Sequence, residues 1–112
     1  MNTQEKQAIT LIATITAKPE HAEEVKSELL KLAEASQAEQ GAIHYNIHQD
    51  NNNPNHFVTY EVWETKALMD QHGQSAHFQN FMKVTKEMIE NFDLTQICLL
   101  YTSDAADDLL CV

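Results

Sequence analysis

Residues 9–17 alternate strictly. Ile9, Leu11, Ala13, Ile15 and Ala17 share one face of an extended chain, and Thr10, Ile12, Thr14 and Thr16 share the other. Period two with β-branched residues predicts a strand, buried on one face and partly covered on the second. Lys18-Pro19 ends it. Proline suits the first turn of a helix, where its missing N–H is no loss. Glu20, Glu23 and Glu24 suit the positive end of that helix. Over residues 20–40, Ala22, Val25, Leu29, Leu32 and Ala33 recur at helical spacing, with Lys26, Glu28, Lys31 and Glu34 on the solvated side. Val25, Leu29 and Leu32 are therefore core candidates. Gly41 is the expected left-handed cap.

Alternation resumes over residues 42–49. Ile43, Tyr45 and Ile47 are set to one side, and His44, Asn46 and His48 to the other. The polar stretch 50–55 is a turn by composition. Residues 57–63 form a third strand, so 42–63 reads as a hairpin. Thr65 can cap a short helix running to about His72, which Gly73 breaks. Ser75 can cap a second helix whose apolar positions run from Phe78 to Ile89. Residues 93–101 look like a final strand. The order is βαββαβ with the second helix in two pieces. That is the α+β, ferredoxin-like plan, an antiparallel four-stranded sheet with helices on one face. Both faces of the strands carry apolar residues, so the face without helices needs a cover. A second copy of the sheet is the simplest one, which predicts a homodimer.

Length favours one domain: 112 residues bury a real but modest core. Residues 1–8 read as an extension, 9–97 as the domain and 98–112 as a tail. The stretch from Cys98 to Asp107 resembles a translated sequencing adapter, so the tail is expected to be non-native, although its start could complete the last strand. On that view Cys98 and Cys111 are not a disulfide or metal pair, and the remaining domain has no cysteine. Met1 to Ala8 shows no signal peptide, and no apolar run reaches the roughly 20 residues that a membrane span needs. The expected location is cytoplasmic.

Charge narrows the partners. Seventeen acids face seven lysines for a net charge of −10, and arginine is absent. Nucleic acid is disfavoured for want of a basic face, and an anionic substrate for want of a guanidinium clamp. With only Gly41 and Gly73, no glycine-rich phosphate loop or dinucleotide fingerprint is possible.

Candidate chemistry gathers late in the hairpin and after it. Trp63, the only tryptophan, is either a core aromatic or a wall on which a flat substrate stacks. On a strand it shares a face with Phe57, Thr59 and Glu61, not with Tyr60. His72, at the end of the short helix, is either a dipole-stabilised terminal residue or a general base titrating near neutrality. His77 lies in the first turn of the next helix, where the positive helix end favours neutral imidazole. Its alternative is a partly exposed polar residue. His44 and His48 stand about 13 Å apart on a strand, too far to share an ion whose nitrogen ligands sit at about 2 Å. His72 and His77 do not make a metal set by spacing either, so no metal is expected.

The stretch Trp63-Glu64, Ala67-Leu68, His72, Ser75-Ala76-His77-Phe78 resembles the antibiotic biosynthesis monooxygenase family, and the resemblance spans residues 9–97. It implies a dimeric α+β barrel and, closest in pattern, the small quinol monooxygenases that work without a cofactor. The haem-degrading branch carries an iron-ligating histidine after the phenylalanine of the last long helix. Here Phe78-Gln79-Asn80-Phe81-Met82 has none, and 9–17 lacks that branch's asparagine. The expected activity is oxidation of a small aromatic quinol or phenol by molecular oxygen. In it His72 is the base, His77 a hydrogen-bond partner and Trp63 the stacking wall. Phe57, Leu68, Phe78 and Phe81 would complete the substrate pocket. Rival readings are an isomerase of a small carbonyl compound and a non-catalytic dimeric ligand-binding protein.

Overall fold

The computed structural model describes residues 8–100. Residues 1–7 of the expected extension and 101–112 of the expected tail, including Cys111, lie outside the described residues. Strand β1 (Ile9–Ala17) leads through a single 3-10 turn (Pro19–His21) into helix α1 (Ala22–Gln37). Strands β2 (Ala42–Gln49) and β3 (His56–Trp63) form the hairpin. Helices α2 (Lys66–Gly73) and α3 (Ala76–Thr85) follow, and strand β4 (Ile89–Ile97) ends the fold. The sheet order is β2-β3-β1-β4, with every pairing antiparallel. This is the ferredoxin-like arrangement that the alternation predicts.

The core lies between the sheet and its helices. Leu11, Ala13, Ile15 and Ala17 turn inward from β1, and Val25, Leu29, Leu32 and Ala33 meet them from α1. Phe57 and Trp63 from β3 are almost wholly removed from water. Residues on the opposite side of the sheet, such as Ile12, Val58 and Tyr60, are half-buried in the single chain.

Three local expectations need correction. Ile43 does not join Tyr45 and Ile47. Ala42 pairs with Trp63 and His44 with Val62, so Ile43 is an inserted bulge residue and is exposed. The second long helix stops at Thr85 instead of Ile89. Lys18 donates its N–H to the Met88 carbonyl, and Ile89 pairs with Ala17, so the sheet claims these residues. Apolar Met88 and Ile89 suit either period, and long-range pairing decides between them. The last strand accordingly begins at Ile89 and finishes at Ile97, needing nothing from the tail.

The two short helices are set by their caps. Thr65 Oγ1 accepts from Leu68 N at 3.2 Å, and Ser75 Oγ accepts from Phe78 N at 3.2 Å while donating to the His72 carbonyl at 2.7 Å. The caps fix the break between α2 and α3 and so fix the separation of His72 and His77.

Candidate active site

A cavity of about 340 Å³ opens between the helix-facing side of β1, β3 and β4 and the three helices. Its walls are mostly apolar, with Leu11, Leu29, Phe78, Phe81, Phe92 and Leu94 among them. Helices leave the β4 end of the sheet uncovered, and Leu94, although on the inward face opposite Ala13, is 56% exposed. The mouth is there, with Asp70 and Gln96 at the rim. Deeper polar groups are Tyr45, Thr59, Glu61 and His72. No lysine lines the cavity.

His72 is buried at 5% exposure. Its ring stacks on Trp63 with centroids 4.7 Å apart and planes 30° from parallel, and Tyr45 and Phe78 flank it at 5.4 and 5.2 Å. Its Nδ1 lies 2.7 Å from Glu39 Oε2. An ionised carboxylate only accepts hydrogen bonds, so an ionised Glu39 takes the Nδ1 proton of His72 and leaves the lone pair of the neutral ring on Nε2. A carboxylate that fixes the histidine tautomer in this way makes the second nitrogen a positioned base and stabilises the imidazolium once it forms. His77 binds the same oxygen, Nε2 to Glu39 Oε2 at 2.6 Å.

Glu61 is a buried acid on the cavity wall, at 4% exposure. Thr59 Oγ1 donates to its Oε2 and Trp63 Nε1 to its Oε1, each at 3.0 Å. Both donors come from the same strand face, two residues to either side, as the pleat requires. Burial, and secondarily the charge of Glu61, pushes the Tyr45 hydroxyl far above the ordinary phenol range. Tyr45 is thus a neutral hydroxyl and not a base.

The structure brings His72, Phe78 and Phe81 to the cavity. Trp63 and Phe57 are buried behind it, and Trp63 acts as a backing for His72 and Glu61 rather than as an open stacking surface. Leu68 lies over Gly41, so close that a Cβ on the glycine would sit 2.6 Å from Leu68 Cδ1. His77 sits outside the cavity and reaches His72 through Glu39. Glu39 is the residue that the sequence pattern does not single out. It follows α1 in a turn where its N–H donates to the Ser36 carbonyl at 3.0 Å, and nothing local separates it from the solvated Glu28 or Glu34. Glu61 carries a visible signal, an acid at an inward strand position. One oxygen of Glu39 and one nitrogen each of His72 and His77 lie within 4.8 Å of one another.

The signature of the antibiotic biosynthesis monooxygenase family matches residues 8–84. The chain belongs to this family. It is 40% identical over 81 residues to a Bacillus subtilis (strain 168) protein named "Putative monooxygenase YcnE", covering 72% of this chain and 85% of that one. The solved structure of PA3566 from Pseudomonas aeruginosa superposes with a TM-score of 0.82 at 35% identity, covering 87% of this chain and 98% of the other. A structure described as an antibiotic biosynthesis monooxygenase gives a TM-score of 0.78 at 23% identity over 83% of this chain and 99% of that one, a likeness of fold alone. The family match reaches through both capped helices, so it contains Glu39, Glu61, Trp63, His72 and His77. Among the described residues, no helix is long and apolar enough to cross a membrane.

Proposed function

We propose that the protein is a monooxygenase that oxidises a small neutral quinol or phenol with molecular oxygen, without a cofactor, and that His72 is its base. His72 on the wall of a mostly apolar cavity, with Glu39 bound to its Nδ1 from behind, carries this reading. A cavity of about 150 Å³ already accepts benzene, so 340 Å³ suits one substituted ring and oxygen. Among the described residues, Glu61 and Asp70 line the cavity and no lysine does, which favours a neutral phenol over an anionic substrate.

In the proposed reaction His72 Nε2 takes the phenolic proton, and Glu39 stabilises the imidazolium. The electron-rich phenolate then reduces oxygen directly. One oxygen atom enters the ring, the other leaves as water, and the substrate supplies all the electrons. Phe78 and Phe81 keep water out, which strengthens the electrostatics inside. Tyr45 and Thr59 offer hydroxyls to orient the substrate.

A second reading draws on Glu61. An isomerase needs a proton acceptor and a proton donor on one substrate, and His72 and Glu61 line one cavity. It predicts turnover without oxygen. The deciding experiment is oxygen uptake against a panel of hydroquinones, beside His72→Ala, repeated anaerobically. The monooxygenase reading expects uptake that falls about a hundredfold or more in the variant. Turnover that persists without oxygen supports the isomerase. Binding with no turnover in either atmosphere supports a ligand-binding role.

A further inference from the structure

We propose that Glu39, His72 and His77 form a binding site for one divalent transition-metal ion of the zinc class, and that the ion switches His72 off. The second half rests on the proposed role of His72 as base.

The site joins three separate elements: the turn after α1, the end of α2 and the first turn of α3. Two imidazole nitrogens and one carboxylate oxygen suit zinc, cobalt and nickel better than magnesium or calcium, which prefer all-oxygen shells. Around an ion with ligands at about 2.1 Å, ligand atoms stand roughly 3–3.5 Å apart. Here the oxygen lies 2.7 and 2.6 Å from the two nitrogens and the three atoms span up to 4.8 Å, so the two imidazoles must draw together by about 1 Å, and the oxygen move back slightly, to share the ion. The ligands are already sheltered, with side-chain exposures of 6% for His72, 14% for Glu39 and 29% for His77. Trp63 stacked on His72 holds that ring in place.

His77 also lines a separate depression of about 110 Å³ on the outer side, together with Glu28, Lys31, Asn80 and Phe81. Lys31, the cation in this depression, is paired with Glu28 at 3.1 Å. Solvent therefore reaches His77 from the outer surface, while His72 faces the substrate cavity. Three protein ligands leave a further position for water.

The chemical consequence follows from the tautomer. In the metal-free site Nδ1 of His72 holds the proton and Nε2 the lone pair. A metal ion takes the Nδ1 lone pair, so the proton of the neutral ring moves to Nε2. The same ring then offers a donor where the reaction needs an acceptor. The two hydrogen bonds to Glu39 Oε2 are replaced by bonds to the ion, and no change of fold is required.

The test uses the full chain stripped with a chelator. Cobalt titration should develop the visible spectrum of a nitrogen- and oxygen-ligated ion, and zinc should displace cobalt at one ion per chain. Glu39→Gln and His77→Ala, with folding checked by circular dichroism, should each weaken zinc binding about tenfold or more, while His44→Ala should not. Imidazole proton–nitrogen NMR should show the His72 proton move from Nδ1 to Nε2 on adding zinc. No zinc uptake against a chelator of micromolar affinity, or uptake unchanged in both ligand variants, overturns the site. Zinc binding without the tautomer change overturns the switch. Neither result depends on turnover, so failure of the monooxygenase reading is distinguished from failure of this one.

Discussion

Tyr45 shows how one buried side chain ties the site to stability. It flanks the stacked pair of Trp63 and His72 and carries a hydroxyl that burial keeps protonated well above the ordinary range. The unfolded chain ionises this phenol near pH 10, whereas the folded chain does not. Below that pH both states hold the proton and the residue adds no pH dependence. Above it the unfolded state binds fewer protons, so stability falls as pH rises, by about 1.4 kcal/mol per unit for one group. Tyr45→Phe removes this contribution. Urea unfolding at pH 9 and at roughly pH 11 should show a smaller alkaline loss in the variant, and an unchanged loss would count against the buried, neutral hydroxyl. At this scale the sequence is informative where a residue breaks its own pattern. Glu61 is such a residue, an acid on the inward side of a strand. Glu39 breaks nothing, because its partners come from helices 33 and 38 residues further on, and only the closed fold defines its role.

Between elements, the two glycines look alike in sequence and do different work. Gly41 has φ of +92°, and a Cβ there would collide with Leu68 on α2. The Glu64 N–H also donates to its carbonyl at 2.8 Å, so the turn cannot easily shift. Gly73 is simply the last residue of α2, and a Cβ there meets nothing within 4 Å. The helix break attributed to it belongs to the Ser75 cap. Gly41→Ala should therefore cost about 2 kcal/mol or more, from left-handed strain and the clash. Gly73→Ala should be neutral or stabilise by about 0.5 kcal/mol through the unfolded state. Thermal unfolding of the pair checks the contrast, and equal losses would contradict it. Strands and helices were legible because their periods are local, as in the alternation of 9–17 and the 3.6-residue spacing of α1. The boundary at Met88–Ile89 and the bulge at Ile43 were not, because partners on β1 and β3 set both.

At the scale of the molecule, the sheet face without helices is the feature that asks for a partner. Ile12, Val58 and Tyr60 are half-buried there in the single chain, whereas the helices cover the opposite face except at its β4 end. Of the ladder-paired residues on this face, Asp93 is the only acid, in a chain that carries 17. An uncovered surface that joins apolar Ile12, Val58, Tyr60 and Val62 with uncharged polar side chains and almost no acid has the charge depletion expected of an interface core. The proposed homodimer places two such faces against each other and closes a barrel. Each chain brings a net charge of −10, so the two repel at long range and the contact should tighten as salt screens them. Mass action then makes the melting temperature rise with protein concentration. Ile12→Lys puts an unpaired ammonium in the middle of the contact but in solvent on a lone chain. Light scattering after size exclusion should thus find a dimer for the parent and a monomer for the variant, with the fold kept. A parent that stays monomeric at every concentration and salt would reject the barrel. The cavity opens on the other side of the sheet, so the variant also tests whether turnover needs the pair. Retained oxygen uptake in a monomer would show that each chain carries a complete site.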